Sequence, residues 1–237
     1  MRNIMKAYEL LNKKNAWTWD EISEAVSIST GNRKLKSTAS VKFLIWNLPA
    51  VKTCPFRTAH CECNCYALKA ERMYPEVLPA REFNLEFSKS EIFVDFMTRL
   101  FHEIAAKASY RKAKWILVRV HESGDFYSLE YMARWFDIAR NCIDIKNMIF
   151  QAYTKSIAFY DVLKDNKPLN FFFMSSIWDD TKPEFIALTE KLGIPIYTAY
   201  EASKGLPAGY AKCECVDCGR CQICYHGKVK FIACEIH

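Results

Sequence analysis

The chain of 237 residues has no apolar run near the length of a membrane span, so a helical integral membrane protein is not the expected class. Its opening residues, Met1-Arg2-Asn3-Ile4-Met5-Lys6, lead into a polar stretch without the apolar centre of a secretory leader. No linker, low-complexity segment or close internal repeat divides the sequence, and no helix-like segment stands out as basic. The expected setting is a reducing cytoplasm, with no membrane partner. There, clustered cysteines read as metal ligands and not as disulfides.

What is present is ordinary for one globular core: 51% hydrophobic and 25% charged residues. The formal charge of +6 counts every cysteine as neutral. Each metal-bound thiolate would remove one positive unit, so the surplus is a slender argument for a nucleic-acid partner.

The eleven cysteines are far from evenly spread. Cys54, Cys61, Cys63 and Cys65 lie within twelve residues, directly after the β-like run Val41 to Trp46. Crowded thiolates repel unless a soft cation neutralises them, which points to zinc or to the irons of an iron–sulfur cluster. Cys213, Cys215, Cys218, Cys221, Cys224 and Cys234 form a second group. Its tight C-x2-C-x2-C run matches the start of a bacterial ferredoxin loop but lacks that pattern's next cysteine and proline. Cys215, Cys218, Cys221 and Cys224 form the first-choice set there, with Cys213 and Cys234 able to substitute. Cys142 stands alone and reads as an inert buried thiol. If Cys63 is not a ligand, the first loop offers three thiolates spaced C-x6-C-x3-C, which would leave one iron of a four-iron cluster open. A zinc site would use all four.

Between the two groups, strand-like and helix-like segments alternate. Strands are expected at Val41 to Trp46, Trp115 to His121, Met148 to Tyr153, Phe171 to Ser176, Ile194 to Ala199 and Val229 to Ala233. Capping boxes are expected at Thr18–Glu21, Ser88–Glu91 and Thr181–Glu184, and a helix over 128–140. The stripe Ile92, Phe93, Phe96, Met97, Leu100, Phe101, Ile104 and Ala105 reads as core. The basic stretch 29–38 is either a solvated loop or an anion-binding one. Alternation implies parallel pairing with right-handed crossovers. The expected fold is α/β: a single complete or partial TIM-barrel-like (β/α) barrel over residues 1–205, with an N-terminal helical extension. A cysteine-rich segment, 206–237, would pack on the same domain. An open doubly wound sheet is the alternative.

In such folds chemistry collects at the C-terminal ends of the strands. Those ends carry the first cysteine loop, His121-Glu122-Ser123-Gly124-Asp125, Tyr153-Thr154-Lys155, Ser175-Ser176 and Tyr200-Glu201. His121 alone could be a satisfied core histidine, and Asp125 a helix cap. Together with Arg119 and Lys155 they suggest a pocket for an anionic or zwitterionic small molecule.

Several of these pieces resemble the bacteriophage family called gene product 88. They are Gly31-Asn32-x-Lys34, Thr53-Cys54-Pro55, Cys61-x3-Cys65-Tyr66-Ala67, Arg119-x-His121-x-Ser123-Gly124-Asp125-Phe126, Tyr153-Thr154-Lys155-Ser156 and the C-terminal cysteines with His237. The resemblance implies a phage-encoded protein acting in the host cytoplasm, and brings no established activity. The architecture is also remotely similar to radical S-adenosylmethionine enzymes. By that similarity Cys54, Cys61 and Cys65 would hold an open 4Fe–4S cluster, though the usual spacing is C-x3-C-x2-C. Ser123, Gly124 and Asp125, with Tyr153, would contact S-adenosylmethionine.

The expected function is an iron–sulfur enzyme with one or two 4Fe–4S clusters and an electron donor from the host. Arg119, His121, Asp125 and Lys155 would bind or protonate the substrate. The alternatives are a zinc-stabilised nucleic-acid-binding module and a non-catalytic structural or redox-sensing iron–sulfur protein.

Overall fold

The computed structural model describes residues 9–13, 17–214, 216–225, 227 and 229–236. Cys215 and His237 lie outside the described residues. Eight strands make one sheet: β1 (Ile28–Ser29), β2 (Val41–Trp46), β3 (Trp115–Val120), β4 (Met148–Thr154), β5 (Phe171–Ile177), β6 (Ile196–Tyr200), β7 (Ala211–Lys212) and β8 (Phe231–Glu235). Their order is β1-β2-β3-β4-β5-β6-β8-β7. Only β1 is antiparallel to its neighbour; β2 to β8 all run the same way.

The order rises without a reversal from β2 to β6, which rules out the doubly wound alternative, since that fold needs a switch point. Closure into a barrel is corrected as well. The sheet is open, with β1 and β7 at its edges. β1 occupies the flank of β2 that a closing strand would need, and each edge strand offers only two residues. Residues 206–237 supply β7 and β8 to this same sheet, with β8 between β6 and β7.

α1 (Trp19–Ala25) precedes the sheet, and its expected capping box is present, with Glu21 N–H on Thr18 Oγ1 and Thr18 N–H on Glu21. The β2–β3 connection carries α2 (Ala59–Cys63), α3 (Tyr66–Met73), α4 (Val77–Ser88), α5 (Phe93–Ala106) and α6 (Ala108–Arg111). The later crossovers are α7 (Leu129–Asn141), α8 (Ile157–Leu163) and α9 (Pro183–Lys191), and α10 (Cys218–Cys221) lies in the C-terminal segment. Two expected capping boxes are corrected. Ser88 ends α4, where its hydroxyl donates to Leu85 O. Thr181 stands before the N-cap Lys182 and takes the Trp178 N–H instead.

The period of two along each strand sorts side chains onto two faces. The outer face of the sheet, with Leu44, Trp46, Ile116, Val118, Val120, Phe150 and Phe173, packs against α5 and α7 in the main core. The inner face carries a smaller apolar group: Val41, Phe43, Ile45, Leu117 and Ile149, covered by Leu35 and Tyr225. Ile45, Arg119 and Gln151 are in register across β2, β3 and β4, so the two polar residues continue that inner face.

Phe150 sits at the centre of the outer core, fully buried among Phe101, Trp135 and Phe171 with ring centroids 5.5, 6.4 and 5.9 Å away. Phe150→Ala is expected to lower unfolding free energy by about 3–5 kcal/mol in urea titration, the range for a large aromatic deleted from a core.

Candidate metal centres

The first cysteine loop starts where β2 ends. Thr53 Oγ1 donates to Pro49 O at 2.7 Å, and Val51 takes a left-handed φ of 62° that turns the chain sharply. The loop then crosses the C-terminal rim of the sheet, where the Phe56 ring wedges between Phe159 of α8 and Phe185 of α9. Thr58 caps α2 by accepting the Cys61 N–H. His60 anchors the same turn to the exit of β5: its N–H donates to Asp180 at 2.8 Å and its Nδ1 lies 2.5 Å from Asp179. His60, Asp179 and Glu201 offer ligand atoms within 4.8 Å of one another. Lys204 pairs with both carboxylates, and Asp179 raises the pKa of His60, which adds a second positive charge when protonated.

This path brings Cys54, Cys61 and Cys65 together, each half-buried. Burial pushes the Cys54 thiol up to about 12, helped by the Asp125 carboxylate and then by Cys61 and Cys65. Burial also raises Cys61, and the Lys155 ammonium draws it back down. Cys63 is exposed on α2. The three half-buried thiols of the loop are thus the set named by the three-thiol alternative.

Lys155 is placed by the residues beneath it. Asp125 is buried and accepts three hydrogen bonds, from Phe126 N at 2.8 Å, Thr154 Oγ1 at 2.5 Å and Lys155 N at 2.8 Å. Burial raises its pKa while those bonds pull the other way. The Lys155 Nζ donates to Ser176 O and Oγ at 3.1 and 2.7 Å. Tyr66, at the start of α3, donates its hydroxyl to Glu122 O. Its side chain is 60% accessible, yet desolvation drives its phenol above the ordinary value. Both hold if the accessible surface faces a cleft inside the protein.

The second cysteine group lies over the inner face. Cys213 N–H donates to Ala233 O at 2.7 Å and Cys218 N–H to Lys34 O at 2.9 Å. Gly219 in α10 approaches so closely that a Cβ there would meet Lys36 O at 2.9 Å. The stretch 29–38 thus acts as a seat for α10: Asn32 Oδ1 holds its turn by accepting Lys34 and Leu35 N–H. Tyr225 covers Phe43 edge-on at 5.9 Å. Burial pushes Cys218 up to about 12, with Cys224, Cys213 and Cys221 adding to the shift. Cys224 is likewise raised by burial and by Cys213 and Cys221, while Tyr153 and Arg119 pull it back down. Among the described residues, Cys213, Cys218, Cys221 and Cys224 are thus within electrostatic reach of one another. Cys215, of the first-choice set, lies outside the described residues, while Cys234 is buried in β8, its thiol 3.4 Å from Glu235 O. Cys142 is fully buried in the outer core, as expected of an inert thiol.

Several expected site residues are corrected. His121 is 2% exposed and turns into the outer core, its ring 4.8 Å from Phe126. Trp46 Nε1–H donates to Tyr131 Oη, and Tyr131 Oη lies 2.9 Å from His121 Nε2. Burial and the nearby Arg119 lower its pKa to about 3, so it is neither exposed nor charged for catalysis. Ser123 is buried, with its hydroxyl on Leu48 O. Gly124, at φ 83°, fits where a Cβ would strike Thr53 Oγ1 at 2.5 Å. Asp125 is spent on its three internal bonds. These groups lock the exits of β2 and β3 together, with Asn47 Oδ1 accepting Glu122 and Ser123 N–H, and are not free to grip a cofactor. Arg119 lies on the inner face, bonded to His121 O and Gln151 Oε1 and stacked over the Tyr153 ring at 3.8 Å. Gln151 and Tyr225 were not among the expected site residues. A polar residue in the middle of apolar β4 was the available sign for Gln151.

A cavity of about 260 Å³ opens at the opposite rim, beside Lys167, Phe172, Pro195 and Gly227. It reaches Cys224 but none of the mouth residues.

A family profile described as Gene product 88 matches residues 26–194. The chain is 33% identical over 105 residues to the "Gene 88 protein" of Mycobacterium phage D29, covering 44% of this chain and 42% of the relative. The corresponding protein of Mycobacterium phage L5 gives the same identity, with 43% of its length covered. The matched segment thus spans less than half of either relative. No solved structure matches, and no comparison supports a likeness to radical S-adenosylmethionine enzymes.

Because the His121 ring is buried neutral, its pKa of about 3 lies below the unfolded value of 6.5. As pH falls below 6.5 the unfolded chain takes up a proton that the folded chain refuses, so stability drops. At pH 5 this costs about 2 kcal/mol relative to neutral pH, at roughly 1.4 kcal/mol per unit. His121→Asn, which tolerates the left-handed backbone at φ 68°, is expected to flatten that part of the stability curve. The check is urea unfolding of both proteins between pH 7.5 and 5.

Proposed function

The chain belongs to the gene product 88 family, and on that footing we propose that it is a phage-encoded iron–sulfur enzyme working in the reducing cytoplasm of the host. One observation carries the proposal: three half-buried thiols, Cys54, Cys61 and Cys65, lie within electrostatic reach of one another, and Cys61 of Lys155, at the C-terminal rim of a parallel sheet, while Cys213, Cys218, Cys221 and Cys224 form a second such set among the described residues. Two thiol groups of unequal number fit one open and one closed centre.

The donor sets suit the groups proposed for them. Cys54, Cys61 and Cys65 would hold a four-iron cluster with one iron left for a small molecule; Cys213, Cys218, Cys221 and Cys224 would hold a second with every iron bound to protein. When bound, the open cluster supplies a Lewis acid or a one-electron centre. The protein's own part is charge and access. Lys155 offsets the charge of Cys61 from its perch on Ser176, and Asp125 fixes the backbone that carries Lys155. Tyr66 and Trp178 line the approach, with Lys155 Nζ 5.8 Å from the Trp178 ring centroid. A small molecule reaching the rim meets this cation first. S-adenosylmethionine is left out of the proposal, because Ser123, Gly124 and Asp125 are engaged elsewhere.

Protein purified without oxygen should contain iron and acid-labile sulfide near eight of each per chain, with broad absorbance around 400 nm (about two four-iron clusters). Serine at Cys54, Cys61 or Cys65 should roughly halve the iron, whereas Cys63→Ser should leave it unchanged. Zinc without sulfide would overturn the proposal.

A further inference from the structure

We infer that the cavity at the N-terminal rim of the sheet is a binding site for a small aromatic carboxylate, held by the Lys167 ammonium. The cavity exists because two neighbouring strands start at different levels. β5 begins at Phe171, but β6 joins it only where Ile196 lies opposite Ser175. Phe171 to Met174 therefore run ahead of β6 and face the turn Gly193-Ile194-Pro195 across the cavity, whose walls include both. Gly193 sits at a φ of 64°, and a Cβ there would meet no atom beyond its chain neighbours within 4 Å. No side chain fills the space from that side.

The walls decide what fits. Tyr160, Phe172, Met174 and Leu192 make them apolar and partly aromatic, and Lys167 is the one charged side chain among the described residues that line them. Lys167 is half-buried, with its Nζ donating to Pro168 O at 3.0 Å and to Phe171 O at 2.8 Å. It lies 5.8 Å from the centroid of the Phe172 ring. Both hydrogen-bond partners are neutral carbonyls, and among the described residues no carboxylate pairs with this cation. An ammonium carries three donors, so one is left for a ligand. A partly desolvated cation with neutral partners favours an anion at its side. One cation matches one formal negative charge, and the walls match a flat apolar body. An apolar cavity of about 150 Å³ admits benzene, so one of about 260 Å³ has room for a ring with a short acidic side chain.

The backbone of β5 brings a second donor to the same place. Ser175 N–H reaches across to Pro195 O at 2.8 Å. By the alternation along a strand, the Phe173 N–H turns to that side too, level with the cavity. Phe171 O, which holds Lys167, is on the same edge, so one carboxylate can meet both donors. Cys224 is part of the wall, whereas none of the mouth residues is, so the ligand is separate from whatever approaches Lys155.

The test is calorimetric titration of protein purified without oxygen, using benzoate, phenylacetate and indole-3-acetate, each against its neutral amide. At least one acid should bind saturably, about tenfold or more tighter than its amide, the margin for a hydrogen bond to a charged group. Lys167→Met should bring that acid down to the affinity of its amide and leave the amide unchanged. Leu192→Trp, which fills the cavity, should abolish binding of both. The inference is overturned if none of the three acids binds saturably at millimolar concentration, or if acid and amide bind equally. Acid binding that survives Lys167→Met undiminished overturns it as well. Should Lys167→Met fail to fold, Leu192→Trp decides, since acid binding that persists there places the ligand elsewhere. None of these results depends on iron or sulfide content, so the iron–sulfur proposal stands or falls separately.

Discussion

The Asp125 carboxylate joins two neighbouring strands where they leave the sheet. By accepting from Phe126 N, Thr154 Oγ1 and Lys155 N, it fixes the exit of β3 against the end of β4. Hydrogen bonds to a buried charge are worth more than neutral ones, and losing a partner there leaves that charge uncompensated. The joint decides where Lys155 points. Gly124, one residue earlier, presses the same turn onto Thr53 and Leu48, directly before Cys54. The loop that gathers the three mouth thiols therefore inherits its position from a carboxylate that touches nothing outside the protein.

Around this joint two cations are held by neutral partners: Lys155 by Ser176, and Arg119 by Gln151, His121 O and the Tyr153 ring. Raised thiol pKa values in both cysteine groups have the same leading cause, burial, which disfavours the thiolate. The two groups differ in surroundings. One is bordered by Ser176 and Trp178 at the rim; the other lies by Tyr225 and the 29–38 turn, with Cys221 exposed.

Much of the fold could be read from periodicity. Each of the six long strands appears within about two residues of its expected place, because apolar runs bounded by turns leave little choice. Closure was not legible, since it depends on β1, a two-residue antiparallel strand with no pattern of its own. Ser88–Glu91 and Thr181–Glu184 have the letters of capping boxes, but α4 runs on to Ser88 and Pro183 moves the next helix start to Lys182. The clustering of cysteines was plain in the sequence, while their division was not. Cys63 falls outside the gathered three because Thr58 starts α2 just before it and turns its side chain to solvent. His121 shows the limit of motif reading: a histidine beside Ser-Gly-Asp looks catalytic, yet the left-handed φ of 68° swings its ring into the core.

The place of β8 between β6 and β7 sets an order of events during synthesis. β7 pairs with β8, and Cys213 donates to Ala233 within it, so residues 211–213 have no sheet partner until the last strand has been made. A chain emerging from its N-terminus completes the mouth loop, its strands and Lys155 well before that moment. Cys213 therefore takes its place over the inner face only when the sheet edge is completed, whereas Cys54, Cys61 and Cys65 are in place earlier.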